Sequence, residues 1–457
     1  MPILDDKIFI HIPKCGGTSI ERAYGINTSN LTPNYKVYFG RTKNKTSPYK
    51  HAEGIGYILQ HLTSNELKER LGEKYIFNNT FTIIRDPLTR YISELNWKKK
   101  DIKNINNTPF DTNLFTTSIH SKKHQHNLQM HEFIYHGDVK LVKNIFQIEK
   151  SQEVFDYIKK KYIVSNMANM SNKITVNQLS EKHLHSVYDT FFMDYNLFGY
   201  LTDNIIQYYI NRIKGTDLII TFTDSKYLPI FNIFYTYFER LNLKNLLVIS
   251  LDDKAFLNLN KRKIFTLLFK YDIKKKSSFW DFRYNVINKL FQLSKKNIIH
   301  TDSDCIWLKN ITKTPQLSLE YDIIGQMVFN HPKNVVNKIG MVLCCGFYKI
   351  FYSDKTCNLF NEISRKKYNK HVLDDQVKMN NYILHEYEKI TENEFGKCIT
   401  IRNRDIKILL LNISYISRNT KNPNAFLFHP YLKGTMENKE CILKKRLKKI
   451  KDYPHTP

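Results

Sequence analysis

Three short stretches hold the residues best able to do chemistry. In FIHIPKCGGTSIERAYG, Phe9 to Gly25, Lys14 stands before Gly16 and Gly17, and Thr18 and Ser19 follow them. A kinase-type phosphate loop places its lysine after the second glycine, so this lysine reaches a group beyond the cradle. Glycines let an anion approach the backbone, and the free N–H groups of a helix N-terminus favour negative charge. In FTIIRDPLTRYISEL, Arg85, Arg90 and Ser93 cluster behind a strand-like run. An arginine at a strand end, with a hydroxyl two helical turns later, makes a second phosphate clamp. Two phosphate sites on one sheet point to a nucleotide phosphorylated at both ends of its ribose. In KKNIIHTDSDCIWLKN, Asp302 and Asp304 end an apolar run. In extended backbone, positions i and i+2 face the same way, and paired carboxylates suit Mg²⁺ or Mn²⁺. Taken alone, D-x-D is common and usually incidental.

The elements that must position these residues recur in two blocks. KIFIHI and TFTII predict buried strands, each followed by a helical pattern. A second block opens at DLIITFTD and continues through NLLVISLDD, NIIH, YDIIGQMV and VLCCGFYKI, again with helical segments between. This alternation predicts α/β layers around a mainly parallel sheet. The expected division is residues 1–205 and 216–457, with a linker near 206–215 that closes on IKGTD. The blocks share architecture but no internal repeat.

Composition narrows the partners. A net charge of +27 over 457 residues favours anions: nucleotides, acidic or sulfated glycans, nucleic acid or a membrane surface. Nucleic acid is set aside because neither zinc-finger spacing nor an RNP-type aromatic motif occurs. The seven cysteines are irregularly spaced and include no C-x-x-C, which predicts neither a disulfide framework nor a zinc cluster and fits a reducing compartment. No signal-peptide core and no apolar run of about 18–20 residues is present, so a cytoplasmic location is expected. The basic run KKRLKKIK, in the tail 444–457, reads as a solvated terminal helix, or else as a peripheral contact with anionic lipid or glycan.

H-I-P-K-C-G-G-T-S followed by I-R-D-P-L-T-R-Y-I-S resembles the sulfotransferases that use 3′-phosphoadenosine 5′-phosphosulfate (PAPS), above all the glycan 2-O-sulfotransferase-like branch. QHLTSNELKERLG, NLQ at 127–129 and DYNLFGYL extend the likeness to about Tyr200. The resemblance implies a P-loop-like α/β/α fold. It assigns Lys14, Cys15, Gly16, Gly17, Thr18 and Ser19 to the 5′-phosphosulfate, and Arg85 and Ser93 to the 3′-phosphate. Cys15 replaces the commoner threonine. A base must deprotonate the acceptor hydroxyl, and a histidine suits that role. The family segment aligns with His61; His51, in KHAEG, is the alternative. Lys14 would assist at the bridging oxygen.

The second block resembles the nucleotide-diphospho-sugar transferases of the GT-A class, with a Rossmann-like fold. Asp302, Asp304, Trp307, Gly346, Phe347, Asp375 and Gln376 match in order. The resemblance implies Lys289 as the lysine one helix before D-x-D, His429 as a third metal ligand and Lys433 toward the diphosphate. Cys344 and Cys345 stand where such strands usually carry asparagine or small polar residues. The combined expectation is a bifunctional enzyme. It would sulfate a carbohydrate hydroxyl from PAPS, and transfer a sugar from a nucleoside-diphosphate sugar with Mn²⁺ or Mg²⁺. By resemblance the second transfer leans toward retention. The alternative is an active sulfotransferase with a non-catalytic glycan-binding C-terminal domain.

Overall fold

The computed structural model describes residues 3–26, 59–97, 106, 126, 128–161, 173–271, 276–314, 320–365, 374–402, 404–418, 422, 425–432 and 434–451. Among the expected site residues, His51 and Lys433 lie outside them. The chain forms two α/β units, Met1–Thr202 and Asp203–Pro457. The junction falls before the expected linker. Residues 206–211 belong to helix Asp203–Asn211, whose Ile205, Ile206, Tyr209 and Ile210 are buried. That helix packs on helix Lys276–Ser294 within the second unit. Its polar flank and the downstream IKGTD imitate a linker, but its apolar stripe makes it part of the core.

The first unit is built on strands β1 (Ile3–Leu4), β2 (Lys7–Ile10) and β3 (Thr80–Ile84), a hairpin of β4 (Tyr135–His136) and β5 (Val139–Lys140), and β6 (Asn144–Gln147). The main sheet runs β1-β2-β3-β6, with β2, β3 and β6 parallel. All five residues of β3 are buried, the pattern of an interior parallel strand. Phe9, Ile20, Phe81, Ile83, Val154 and Phe155 form a core between sheet and helices. Parallel strands put their carboxyl ends on one edge, so the loop after β2 and the turn after β3 open side by side.

The second unit holds a nine-stranded sheet. Its members are β7 (Asp217–Thr223), β8 (Leu246–Ser250), β9 (Thr266–Leu268), β10 (Asn297–Thr301), β12 (Ile323–Val328), β13 (Val342–Ile350), β14 (Tyr387–Asn393), β15 (Gly396–Ile401) and β16 (Ile406–Leu411). Their order is β14-β15-β16-β12-β13-β10-β7-β8-β9. β10, β7, β8 and β9 are parallel, whereas β13 runs antiparallel to both neighbours. Strands β11 (Ile306–Trp307), β17 (Ile416–Ser417) and β18 (Leu427–Phe428) form a small third layer. The winding reverses between β7 and β10. In open α/β sheets, ligands bind outside the carboxyl ends of strands at such a switch point, and Asp302 and Asp304 follow β10 there.

Helix Met436–Lys451 packs on helix Leu228–Arg240 through Leu443 and Leu447, both buried. Lys444, Lys445, Lys448 and Lys449 face outward. These four lysines form a cationic face on the described part of the tail. Among the described residues, no helix is long and apolar enough to cross a membrane. All seven cysteines are free thiols.

Candidate functional site

In the first unit the chain leaves β2 and turns through Pro13–Gly16 into helix Gly17–Ala23. Lys14 has φ 64 and Gly16 has φ 86, so two left-handed residues shape the turn. A lysine pays a steric penalty in that region that glycine avoids; such strain persists where surrounding contacts impose it. Those contacts are visible. Arg90, fully buried, donates from Nε to the Pro13 carbonyl at 3.0 Å and from Nη2 to the Leu128 carbonyl at 2.9 Å. Arg85 reaches the Lys14 carbonyl at 3.4 Å and Thr89 Oγ1 at 3.1 Å. Arg90 is thus a strut for the loop, while Arg85 borders its opening. Ser93 lies half-buried one turn beyond Arg90, and Thr18 and Ser19 are half-buried in the first turn of the helix. Cys15 packs its thiol on Met130 Sδ at 3.7 Å, and burial pushes that thiol up to about 12. Its side chain is a packing element, so any anion contact at Cys15 belongs to its backbone.

Lys14 Nζ sits 5.2 Å from the Trp97 ring centroid. Burial lowers its pKa, and the nearby charge of Arg85 acts the same way, while Glu94 opposes them. Beyond Trp97 lies a file of imidazoles that the sequence reading left unassigned, except for one. Trp97 stacks on His126 at 4.9 Å, His126 meets His61 edge-on at 5.1 Å, and His61 meets His11 edge-on at 4.6 Å. His126 Nδ1 contacts Glu94 at 3.1 Å. His61 Nδ1 lies 3.0 Å from the His11 carbonyl. A carbonyl only accepts, so Nδ1 carries the hydrogen and Nε2 keeps its lone pair. Burial, then the charges of His11 and His126, hold His61 well below the ordinary histidine range. It is a neutral imidazole fixed in one tautomer, the state a general base requires. The segment that positions it is firm: Thr63 and Glu66 form a reciprocal capping box at the start of helix Ser64–Leu71. The later landmark DYNLFGYL also acts structurally, since Asp194 accepts from the backbone N–H groups of Met130 and His131 at 2.8 and 2.9 Å.

In the second unit, β10 ends at Thr301, and residues 302–305 form a turn closed by Cys305 N–H to the Asp302 carbonyl at 2.9 Å. The two carboxylates therefore converge through a turn and not through strand alternation. Asp302, Asp304 and His429 present ligand atoms that all lie within 4.8 Å of one another. His429 Nε2 stands 3.6 Å from Asp304 Oδ1, and its Nδ1 donates to the Gln326 carbonyl oxygen at 2.7 Å. Gln326, buried on β12, thus leaves Nε2 as the ligating atom, as an outer partner of a metal-bound histidine does. Burial disfavours the charged ring, but Asp304 and Cys344 push it up to about 10. Gly346 explains how the groups come together. A Cβ there would lie 2.2 Å from His429 Cε1 and 2.9 Å from Asp302 Oδ2. Two carboxylates, one oriented imidazole and a glycine-floored gap fit a divalent cation.

Arg283, on helix Lys276–Ser294, is the cation that sequence reasoning missed. It donates from Nη1 to Asp302 Oδ1 at 2.7 Å and from Nε to Asp375 Oδ2 at 2.8 Å, with a further contact from Nη2 to Asp375. Its guanidinium carbon lies 4.6 Å from the Trp280 ring centroid. Burial raises the Asp302 carboxyl, but Arg283, His300 and His429 outweigh it and hold that group well below the usual range. Burial pushes Asp375 up to about 7 against the pull of Arg283. Lys289 lies elsewhere: its ammonium pairs with Asp203 at 2.6 Å, and its side chain is 40% exposed. Six residues separate the two cations, about 120° around a helix, so only Arg283 faces the carboxylates.

Several matched positions support the site from behind. Trp307 is fully buried, donates to Thr301 Oγ1 at 3.1 Å and packs on Phe238 and Phe347. Phe347 is equally buried and pairs with Thr301 across the sheet. Neither ring is placed to touch a substrate; both brace the turn. Gln376 accepts from Cys345 N–H at 3.2 Å and donates to the His331 carbonyl at 2.6 Å. Tyr227, after β7, donates to Asp304 Oδ2 at 3.3 Å.

Comparison with known proteins agrees with this division. Residues 5–137 match the model of the sulfotransferase family. Residues 241–439 match that of the nucleotide-diphospho-sugar transferase family. No curated protein matches the chain. Similar solved structures include the WbbM bifunctional glycosyltransferase in its apo form, 12% identical with TM-score 0.34, covering 67% of this chain and 64% of that one. Another is the apo-form glycosyltransferase GlyE of Streptococcus pneumoniae, 11% identical with TM-score 0.32, covering 51% and 60%. A third is the PaToxG glycosyltransferase, 14% identical with TM-score 0.23, covering 39% and 74%. The chain spans less than two thirds of the length of the first two. One polypeptide therefore carries a segment that matches the sulfotransferase family model and another that matches the nucleotide-diphospho-sugar transferase family model.

Proposed function

We propose that the chain is a bifunctional glycan-modifying enzyme. Its N-terminal unit transfers a sulfuryl group from PAPS to a carbohydrate hydroxyl. Its C-terminal unit transfers a sugar from a nucleoside-diphosphate sugar to a glycan acceptor. One observation carries the reading: each of the two family matches encloses its own cluster of competent side chains at the carboxyl edge of parallel strands.

In the first unit, the turn from Lys14 to Ser19 holds the phosphosulfate end, and Arg85 with Ser93 holds the 3′-phosphate. His61 Nε2 takes the proton of the acceptor hydroxyl as its oxygen attacks sulfur. Lys14 stabilises charge on the bridging oxygen as the bond to the 5′-phosphate breaks. In the second unit, Asp302, Asp304 and His429 would hold a divalent cation, which when bound would supply positive charge beside the departing diphosphate. Arg283 fixes the Asp302 carboxylate, Gln326 fixes the His429 tautomer, and Asp375 with Gln376 borders the acceptor side. The basic outer face of helix Met436–Lys451 is the surface for any anionic lipid or glycan.

The test is mass spectrometry of products formed by the full chain from PAPS, a panel of sugar nucleotides, Mn²⁺ and mixed glycan acceptors. Two mass increments are expected, one sulfuryl and one glycosyl. Lys14→Ala should remove the first and keep the second; Asp302→Asn should do the reverse. A sulfuryl increment alone, unaffected by Asp302→Asn, would instead favour a glycan-binding C-terminal unit.

A further inference from the structure

The N-terminal unit contains a buried pair that the proposed reaction has not yet used. His11 follows β2 and Glu21 lies on helix Gly17–Ala23, so the glycine turn separates them in sequence and brings them together in space. Both are buried, at 4% and 0% exposure. His11 Nδ1 stands 2.6 Å from Glu21 Oε1, and Gln60 Nε2 donates to Glu21 Oε2 at 2.6 Å. One carboxyl oxygen thus takes the amide of Gln60, and the other faces the imidazole. A buried carboxylate is costly without a positive partner, and the His11 ring is the group in contact that can supply one. Its other ring nitrogen lies against Gly17, the first residue of the helix that follows the glycine turn. A Cβ on Gly17 would lie 2.3 Å from His11 Cδ2 and 2.4 Å from His11 Nε2. The second glycine of the motif is thus small because the imidazole edge lies directly beneath it.

His61 stands 4.6 Å away in the complementary condition, with Nδ1–H spent on the His11 carbonyl and Nε2 open. One imidazole is held by a carboxylate, and the other is buried against imidazoles and a carbonyl. Two neighbouring imidazoles with different hydrogen-bond partners can take different parts in one proton transfer.

We propose that His11 is the general acid of the sulfuryl transfer, oriented by Glu21 on its Nδ1. This rests on reading the N-terminal unit as a sulfotransferase. The acceptor oxygen forms a bond to sulfur while its proton passes to His61 Nε2. The bond between sulfur and the 5′-phosphate oxygen breaks, and its electron pair stays on that oxygen. His11 Nε2 gives its proton to the same oxygen and becomes neutral, with Nδ1–H still on Glu21. One proton enters the site and one leaves the ring, so the pair resets by exchange with solvent. The groups facing His11 are Glu21 from the helix and Gln60 and His61 from the segment Leu59–His61, with Phe9 stacked on its ring at 5.6 Å. His126 and Glu94 stand behind His61.

The experiment follows release of adenosine 3′,5′-bisphosphate from PAPS by the full chain across pH, with glycan or water as acceptor. Calorimetry with adenosine 3′,5′-bisphosphate runs in parallel. His11→Gln should lower kcat about 10²-fold or more, change the bisphosphate affinity by less than about threefold, and abolish the alkaline fall of the rate. Glu21→Gln should retain more activity and move that fall to lower pH, because the ring loses its counter-charge. An alkaline limb unchanged in both variants overturns the proposal. So does a loss of bisphosphate binding in proportion to the loss of rate. If His11→Gln does not fold, the Glu21→Gln limb decides alone. If the unmodified chain releases no bisphosphate from PAPS, the sulfotransferase reading itself fails and this inference falls with it.

Discussion

The two units meet a similar electrostatic problem with opposite materials. On the proposed reading, each takes a donor whose leaving group is a phosphate. The first lines its cradle with fixed positive and neutral groups: Lys14, Arg85, backbone N–H groups and a file of imidazoles. The second gathers negative groups, Asp302, Asp304 and Asp375, about one arginine and one histidine. A fixed cation acts without a cofactor but must be held in place, which explains the buried Arg90 strut and the left-handed Lys14. A carboxylate cluster accepts a mobile cation, so its structure is spent on shaping a gap, with Gly346 as floor and Gln326 as orienter. The difference teaches where each unit is vulnerable: the first through its loop, the second through the geometry of its carboxylate–histidine cluster.

The largest expected effect breaks the second unit alone. Asp302→Asn removes a ligand and the partner of Arg283. It should lower sugar transfer by about 10³-fold or more, since charge stabilisation worth several kcal/mol is at stake. Sulfuryl transfer measured on the same preparation should be unchanged. The mirror variant, Lys14→Ala, should lower sulfuryl transfer by about 10²–10³-fold and leave sugar transfer intact. A joint loss in either variant would erase the contrast.

A smaller effect sharpens the metal side. Gln326→Leu keeps the buried volume but frees the His429 ring to rotate. Mn²⁺ affinity, read by titration calorimetry, should fall about 10–100-fold. An unchanged affinity would mean that the histidine is oriented by something else.

The pH dependence from His61 has the opposite sign to that of a histidine whose folded pKa is raised by an acidic partner. Burial, His11 and His126 lower the folded pKa of His61 below that of the unfolded chain. The unfolded state therefore binds more protons between the folded pKa and about 6.5. Stability from this group is present above that window and is lost as pH falls through it. The neutral base also persists to lower pH, so the acid limb of sulfuryl transfer should lie below about 6.5. A limb at or above that value would mean that His61 is solvated or is not the base.

The smallest effect is expected at Lys289→Ala. An exposed pair with Asp203 contributes less than about 1 kcal/mol, and sugar transfer should not change. Arg283→Lys on the same helix should impair transfer clearly, because one ammonium cannot make the forked contact to two carboxylates. Equal effects would merge the two positions that the structure separates.

Local pattern carried much of this into view. Strands β2, β3, β7, β10 and β13 were readable because each is a short apolar run bounded by breakers. The glycine loop and the D-x-D pair were readable because their chemistry lies within a few residues. What escaped depends on the third dimension. Arg283 differs from Lys289 only in helix phase, which has no meaning until Asp302 and Asp375 are placed beside it. The His11–Glu21 contact spans a turn whose closure cannot be read from spacing. Trp307 and Phe347 looked like binding residues because they sit in the motif, yet the motif needs them as packing beneath the turn. Helix Asp203–Asn211 looked like a linker because its partner, helix Lys276–Ser294, lies more than sixty residues away.

The central claim is that two distinct donor sites occupy one chain, and ligand binding tests it most directly. Adenosine 3′,5′-bisphosphate should give the same calorimetric titration with the unmodified chain and with Asp302→Asn, and a weakened one with Lys14→Ala. Uridine or guanosine diphosphate with Mn²⁺ should show the reverse dependence. Silence from the bisphosphate, or from both diphosphates, or a single variant that abolishes both kinds of binding, would contradict the account.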